Sequence, residues 1–294
     1  IGKKAFDKII HKRMFDALRR LNIDEHIITV IRNCYKNPKF FLQDEHGKSE
    51  IKKQGTGIRQ GCPLSPYLFI LVMQCIDHDI NEKKSQNILN NRIPNLDFDM
   101  INYADDTILF STSCRDLNEL LKHTEQASAL YGLNLSKDKC VSIIMNTEGK
   151  VNFHNKQELW QTWEATYLGN AINQEVNITI EISNKMHAVR RTWYKLADYW
   201  KVTKASKKWQ LIVYDAIIKS KLLYGLETLL LTEAMEKKLN AFQQRGFRQI
   251  TKSTRTYYNR AHTNQYLYDT ASKLAYPDGK IMIKRFSDFH NERK

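Results

Sequence analysis

The chain has 294 residues, 42% of them hydrophobic, which is enough for one large domain or two modest ones. Its 46 Lys and Arg against 32 Asp and Glu leave a net charge of +14, pointing to a polyanionic partner, nucleic acid before membrane. No apolar run reaches the ~20 residues of a membrane helix and no signal-peptide pattern is present. Five widely spaced cysteines argue against a disulfide frame or zinc finger and for reduced thiols in an intracellular protein.

The first residue is Ile1, not Met, inside what reads as a structured element, so the sequence is expected to be a piece of something longer. Phe15, Leu18 and Leu21, then Ile27, Ile28 and Ile31, recur at helical spacing and predict two helices over 11–35. Phe40 to Ile51 predicts a hairpin turning at Gly47. A loop punctuated by Gly55, Gly57 and Gly61 follows. It leads into an apolar helix over about 65–80 with Pro66 in its first turn.

Phe98–Tyr103 and Thr107–Ser111 predict a strand–turn–strand. Ser113 with Asp116 resembles a capping box opening a helix that stops at Gly132. Val141–Met145 and Ala165–Leu168 read as short strands. Beyond Ile178 the pattern changes to long helices, about 178–200, 206–224 and 232–250. A domain boundary is therefore placed near Gln174, giving 1–174, 175–250 and a weakly periodic, irregular or truncated tail over 251–294.

One stretch runs against the basic background. Between Ile93 and Cys114 there is no Lys or Arg, yet Asp97, Asp99, Asp105 and Asp106 all fall there. Adjacent carboxylates repel unless a cation holds both ionised. A hard divalent ion is the natural partner, since Mg²⁺ takes one or two carboxylates plus phosphate oxygens. That pattern points to two-metal chemistry on a phosphoryl group. Taken alone, Tyr103-Ala104-Asp105-Asp106 is equally a polar hairpin turn.

Four motifs in order decide between these readings. They are Gly57-x-Arg59-Gln60-Gly61-Cys62-Pro63-Leu64-Ser65-Pro66-x-Leu68-Phe69, Tyr103-Ala104-Asp105-Asp106, Gly132-Leu133-x-Leu135-x-x-x-Lys139 and Tyr167-Leu168-Gly169. Together they resemble the palm motifs of reverse transcriptases, and the Arg59–Phe69 wording most resembles non-LTR (LINE-type) retrotransposon enzymes. Lys4–Ile9 is similar to the end of the family's first palm motif. Ser220–Thr228, then Leu239–Phe242 with Arg248, resemble its thumb segment. The resemblance spans about residues 1–250.

The resemblance implies an α+β reverse-transcriptase palm with partial fingers (1–174), an antiparallel sheet with packed helices, followed by an all-α thumb (175–250). It implies RNA-directed DNA synthesis with two Mg²⁺ ions, Mn²⁺ substituting, on an RNA template, a DNA primer or target and a dNTP, in the nucleus. It does not bear on oligomeric state. Asp105 is the implied principal metal ligand and Asp106 a looser one, while Lys139 corresponds to the lysine that protonates the leaving pyrophosphate. Gln60 and the amides around Gly61 match the contact to the nucleotide sugar. Phe6 corresponds to the bulky residue that collides with a 2′-hydroxyl.

Arg59, Ser65 and Pro66 fall on the template side, and Tyr167, Leu168 and Gly169 on the primer grip. Ser65 reads equally as a helix cap, Phe6 also as a core residue, and Gly57 and Gly61 also as tight-turn residues. Lys137 competes with Lys139. Lys185, Arg190, Arg191, Lys195, Lys201, Lys204, Lys207 and Lys208, interleaved with Trp193, Tyr194, Tyr199, Trp200 and Trp209, read as a duplex grip, with the charges outward and most of the aromatics in the core.

The family's third metal-binding Asp falls six residues before Asp7, where this chain has Ile1. Weak or absent activity is the expectation that follows. Rival readings are a non-catalytic nucleic-acid-binding relic, a group II intron-type maturase and an RNA polymerase.

Overall fold

The computed structural model describes residues 5–90, 92–174 and 178–293. The chain divides into two compact units, residues 1–165 and 166–294. The expected motif residues Ile1 and Lys4 lie outside the described residues.

The first unit opens with α1 (Ala5–Lys8), α2 (His11–Arg20) and α3 (Glu25–Cys34). Asp24 caps α3 by accepting from the His26 amide at 2.7 Å, as an N-cap carboxylate should. The next four strands form two ladders: β1 (Lys39–Phe40) pairs with β4 (Lys52–Lys53), and β2 (Gln43–Asp44) pairs with β3 (Gly47–Lys48). Helix α4 (Ser65–Lys83) buries Leu68, Phe69, Val72, Met73, Cys75, Ile76 and Ile80. These residues recur every three or four positions, so one face of the helix lies in the core.

Met14, Ala17 and Leu18 of α2 and Leu120 and Ala127 of α6 (Cys114–Leu130) share that core. Between α4 and α6 lie α5 (Gln86–Asn90) and a hairpin of β5 (Met100–Tyr103) with β6 (Asp106–Leu109). Ser113 takes the N-cap position of α6 but makes no side-chain capping bond there, so the Ser113 half of the expected capping box is not made.

The strand expected over Val141–Met145 shortens to β7 (Val141–Ser142), which pairs in parallel with β8 (Trp160–Gln161). Leu121, Val151, Phe153 and Leu159 make a small satellite core beneath them. Among the described residues every sheet has two strands, and helices supply most of the packing. This α+β composition agrees with the sequence expectation at that level.

The second unit begins around β9 (Glu164–Tyr167) and β10 (Asn170–Asn173), which pair with each other. Helix α7 (Ile178–Thr203) follows. The single helix expected over 206–224 is instead α8 (Lys207–Val213), a π-helical turn over Tyr214–Lys219 and α9 (Ser220–Leu223). The wide turn carries Tyr214 into the core, where Gly246 admits its ring: a Cβ there would stand 2.5 Å from Tyr214.

The tail also departs from expectation. After α10 (Glu233–Thr251), residues 251–294 hold α11 (Asn264–Ala275) and α12 (Phe286–Arg293). Leu267, Tyr268, Ala271 and Phe286 belong to the same core as Val189, Leu211 and Phe247. All five cysteines are free.

Candidate active site

Tyr103 pairs with Asp106, so Ala104 and Asp105 form the two-residue tip of the β5–β6 hairpin. Ala104 has φ +52°, a left-handed value that a tight hairpin demands and that an alanine adopts at a cost of roughly 1–2 kcal/mol. Asp105 is half-buried and Asp106 is exposed. Beneath the tip, Asn102 donates from Nδ2 to both oxygens of Asp77 on α4, at 2.9 and 3.0 Å, and Thr107 Oγ1 donates to Asn102 Oδ1 at 2.7 Å. Met100 and Leu109 pack on the first core, so the acidic tip stands on a braced base. Burial raises the pKa of Asp77, opposed by the Asn102 bond and the Lys84 charge.

Asp99 does not belong with the tip carboxylates. Its side chain is 4% exposed, bound to Lys84 Nζ and 3.6 Å from Arg92 Nε. Asp99 of the acidic stretch is thus compensated by cations outside it, leaving the tip pair as the site to explain.

The glycine-punctuated loop is sewn to α1. The Gly57 amide donates to Ile9 O at 2.8 Å, the Ile58 amide to Phe6 O at 2.7 Å, and Thr56 Oγ1 to Asp7 O at 3.1 Å. A Cβ on Gly57 would stand 2.6 Å from the Asp7 backbone, so only glycine allows this approach. Gly61, at φ +85°, faces open space. Gln60 Nε2 donates to Asp7 Oδ1 at 3.1 Å, which holds its amide at the loop edge. Phe6 stacks on Phe69 with ring centroids 4.6 Å apart and planes 5° apart, so the α4 core fixes its position.

Arg59 is exposed, donates to Cys34 O at 2.7 Å and lies over the Tyr35 ring at 5.7 Å. Ser65 is buried and turns its hydroxyl to Arg59 O at 2.5 Å, so its side chain braces the loop, while Pro66 is exposed in the first turn of α4. Lys139 ends a 3₁₀ turn (Lys137–Lys139) and is exposed, whereas the Lys137 ammonium lies 4.9 Å over the Phe153 ring. Leu109 packs against both the main and the satellite core, linking the Lys139 segment to the hairpin base.

In the second unit, Leu168 and Gly169 form the β9–β10 turn with φ +48° and +81°, successive left-handed values that suit a two-residue hairpin. Tyr167 and Leu168 are half-buried. Of the basic residues, Arg191 and Lys195 are exposed and Arg190 is half-buried.

Lys185 is a correction, since its side chain is 9% exposed. Its ammonium pairs with Glu181 at 3.3 Å and donates to Asn170 Oδ1 at 2.8 Å and Tyr224 O at 2.7 Å. It is a structural cation. The aromatics divide otherwise than expected: Trp193 and Trp200 are core residues, but Tyr194, Tyr199 and Trp209 are exposed.

Sequence reasoning missed the Asp77–Asn102 brace. Its readable signal is a lone amide in an otherwise alternating strand, three residues before the paired acids.

With the hairpin, loop and basic helices in place, comparison with known proteins identifies the family. Residues 2–172, more than half of the chain, match the family model for "Reverse transcriptase (RNA-dependent DNA polymerase)", and the chain belongs to that family. It is 31% identical over 144 residues to the retrovirus-related Pol polyprotein from type-2 retrotransposable element R2DM of Drosophila melanogaster, covering 48% of this chain and 13% of that protein. It is 30% identical over 194 residues to the Pol polyprotein from type-1 retrotransposable element R2 of Nasonia vitripennis, covering 62% and 18% respectively. A Xenopus laevis protein, the transposon TX1 uncharacterized 149 kDa protein, is 23% identical over 176 residues.

The chain therefore spans less than a fifth of the length of these relatives. The resemblance to non-LTR reverse transcriptases read from the motifs is borne out. No helix among the described residues is long and apolar enough to cross a membrane.

Proposed function

We propose that the chain is the RNA-directed DNA polymerase portion of a non-LTR retrotransposon protein, extending a DNA primer or nicked target on an RNA template. The observation that carries this reading is the Asp105–Asp106 pair on a braced hairpin tip whose base shares one core with Phe6 and Phe69. In this reading residues 1–174 are the palm with part of the fingers and 175–250 the thumb. The helices beyond 251 extend the thumb core, and the protein works in the nucleus.

The donor set suits magnesium, with manganese as a substitute, because two adjacent carboxylates on a turn leave most coordination positions to phosphate and water. Asp105 and Asp106 would hold the two ions, which when bound would activate the primer hydroxyl and neutralise charge on the triphosphate.

The chain's own residues do the rest. Gln60, steadied by Asp7, and the Gly61 amide take the nucleotide sugar. Phe6, immobilised by Phe69, closes the space a 2′-hydroxyl would need and selects deoxynucleotides. Lys139 delivers a proton to the departing pyrophosphate, and its competitor Lys137 is occupied by Phe153. Arg59 and the exposed Pro66 at the start of α4 face the template backbone, while buried Ser65, its amide on Cys62 O and its hydroxyl on Arg59 O, acts by bracing the loop. Tyr167, Leu168 and Gly169 seat the primer end, and Arg190, Arg191 and Lys195 neutralise duplex phosphates. Ile1 offers no carboxylate where the family places its third ligand, so turnover is slow.

The test is single-turnover primer extension on an RNA template with dNTPs. Slow, divalent-dependent extension is expected, reduced at least ~10²-fold in Asp105→Asn. Phe6→Val should admit ribonucleotides. Extension unaffected by Asp105→Asn would overturn the assignment.

A further inference from the structure

We infer that the loop after α10 is a second nucleic-acid site, taking single-stranded RNA or DNA with backbone phosphate against Arg245 and Arg255 and an unpaired base against Tyr257–Tyr258. The inference goes beyond the polymerase reading and does not depend on it.

Three independent observations meet here. A cavity of about 400 Å³ is lined by Arg245, Arg248, Gln249, Ser253, Thr254, Arg255 and Tyr258. Its surroundings are one-signed: between Glu236 and Asp269 the chain has no carboxylate and seven Lys or Arg. Beside it, Tyr257 and Tyr258 are 89% and 76% exposed, with ring centroids 5.2 Å apart and planes at 88°. Two adjacent tyrosines left in water at right angles offer one flat face and one edge, which is a stacking platform and not a core pair.

The loop is also built. Lys252 ends α10 in a left-handed conformation, which turns the chain out. The Arg248 guanidinium then donates to Thr254 O, to His262 O at 3.2 Å and to Asn264 Oδ1 at 3.2 Å. Thr254 Oγ1 meets His262 Nδ1 at 2.9 Å, Thr256 Oγ1 donates to His262 O at 3.1 Å, and the His262 ring stacks on Tyr266 at 4.9 Å. Arg248 is thus spent on holding the loop, while Arg245 and Arg255 stay exposed at the cavity mouth. Preset cations and stacking rings cost little ordering on binding. A single strand fits this chemistry better than a duplex, whose base faces are already stacked.

The test uses the full chain and fluorescence anisotropy with labelled oligonucleotides of about 20 nucleotides, in single-stranded RNA, single-stranded DNA and duplex arms. Arg245→Glu/Arg255→Glu should weaken single-strand binding at least ~10-fold and reduce the slope of log K against log salt by about 1–2. Tyr257→Ala/Tyr258→Ala should weaken it about 10-fold with the salt slope unchanged. An equal charge reversal elsewhere on this unit, Lys273→Glu/Lys280→Glu, should cost less than about twofold.

All these side chains except the retained Arg248 are exposed, and unchanged thermal unfolding of each variant checks the fold. Binding is read with no dNTP present and no extension, so this site and the polymerase reading fail separately. Wild-type affinity in the tyrosine variant would overturn the inference. So would equal losses from the two charge reversals, or a tyrosine variant that loses duplex binding as much as single-strand binding. The RNA and DNA arms decide which strand is preferred.

Discussion

Asp77 shows how a residue outside the sequence motifs sets the site. It lies on the partly buried flank of α4 and accepts both bonds from Asn102, so it ties the β5–β6 hairpin to the rigid core. Burial raises its pKa in the folded chain. The folded state therefore binds the proton more tightly than the unfolded one. Stability from this group is greatest at low pH and is lost as pH rises through its raised folded pKa.

Asp77→Asn keeps an acceptor for Asn102 without a charge to desolvate. Urea unfolding from pH 4 to 7 should show the variant gaining on the unmodified chain as pH rises. A constant difference across that range would contradict the assignment. Such a residue is hard to read from sequence, because an aspartate on a helix ordinarily faces water and only the fold reveals its partner.

The elements were legible where apolar residues carry the packing. Helices α2, α3, α4 and α10 follow their hydrophobic period, and the β5–β6 hairpin follows its alternation around the acid pair. Legibility fails where polar bonds do the packing. Fully buried Gln243 of α10 holds the tail: it receives the Tyr268 hydroxyl at 2.7 Å and the Phe286 amide at 3.0 Å, and donates to Lys284 O at 2.9 Å. His290 Nε2 meets Leu226 O at 2.8 Å. These polar bonds, which no sequence period announces, fix α10, α11 and α12 to one another alongside the apolar contacts of Leu267, Ala271 and Phe286.

Lys185 is a second instance: a basic run suggests solvent and phosphate, yet this lysine is sequestered between Glu181, Asn170 and Tyr224 O. Removing one partner of a buried pair leaves the other uncompensated. Lys185→Met should therefore cost about 3 kcal/mol in urea unfolding, and adding Glu181→Gln should recover part of that loss. Additive losses would show the pair to be independent.

The molecule as a whole joins two units, each with its own core, under a net charge of +14. Charge, size and motif order in the sequence carried the family assignment, while the loop at 252–262 emerged only once its cavity and exposed tyrosines were seen together. Family membership does not itself assign the metal to Asp105. Paramagnetic resonance of Mn²⁺, titrated into the full chain with a dNTP and primer–template, measures that directly. The account predicts that the unmodified chain binds Mn²⁺ at least ~10-fold more tightly than Asp105→Asn. Identical titrations of the two proteins would contradict it.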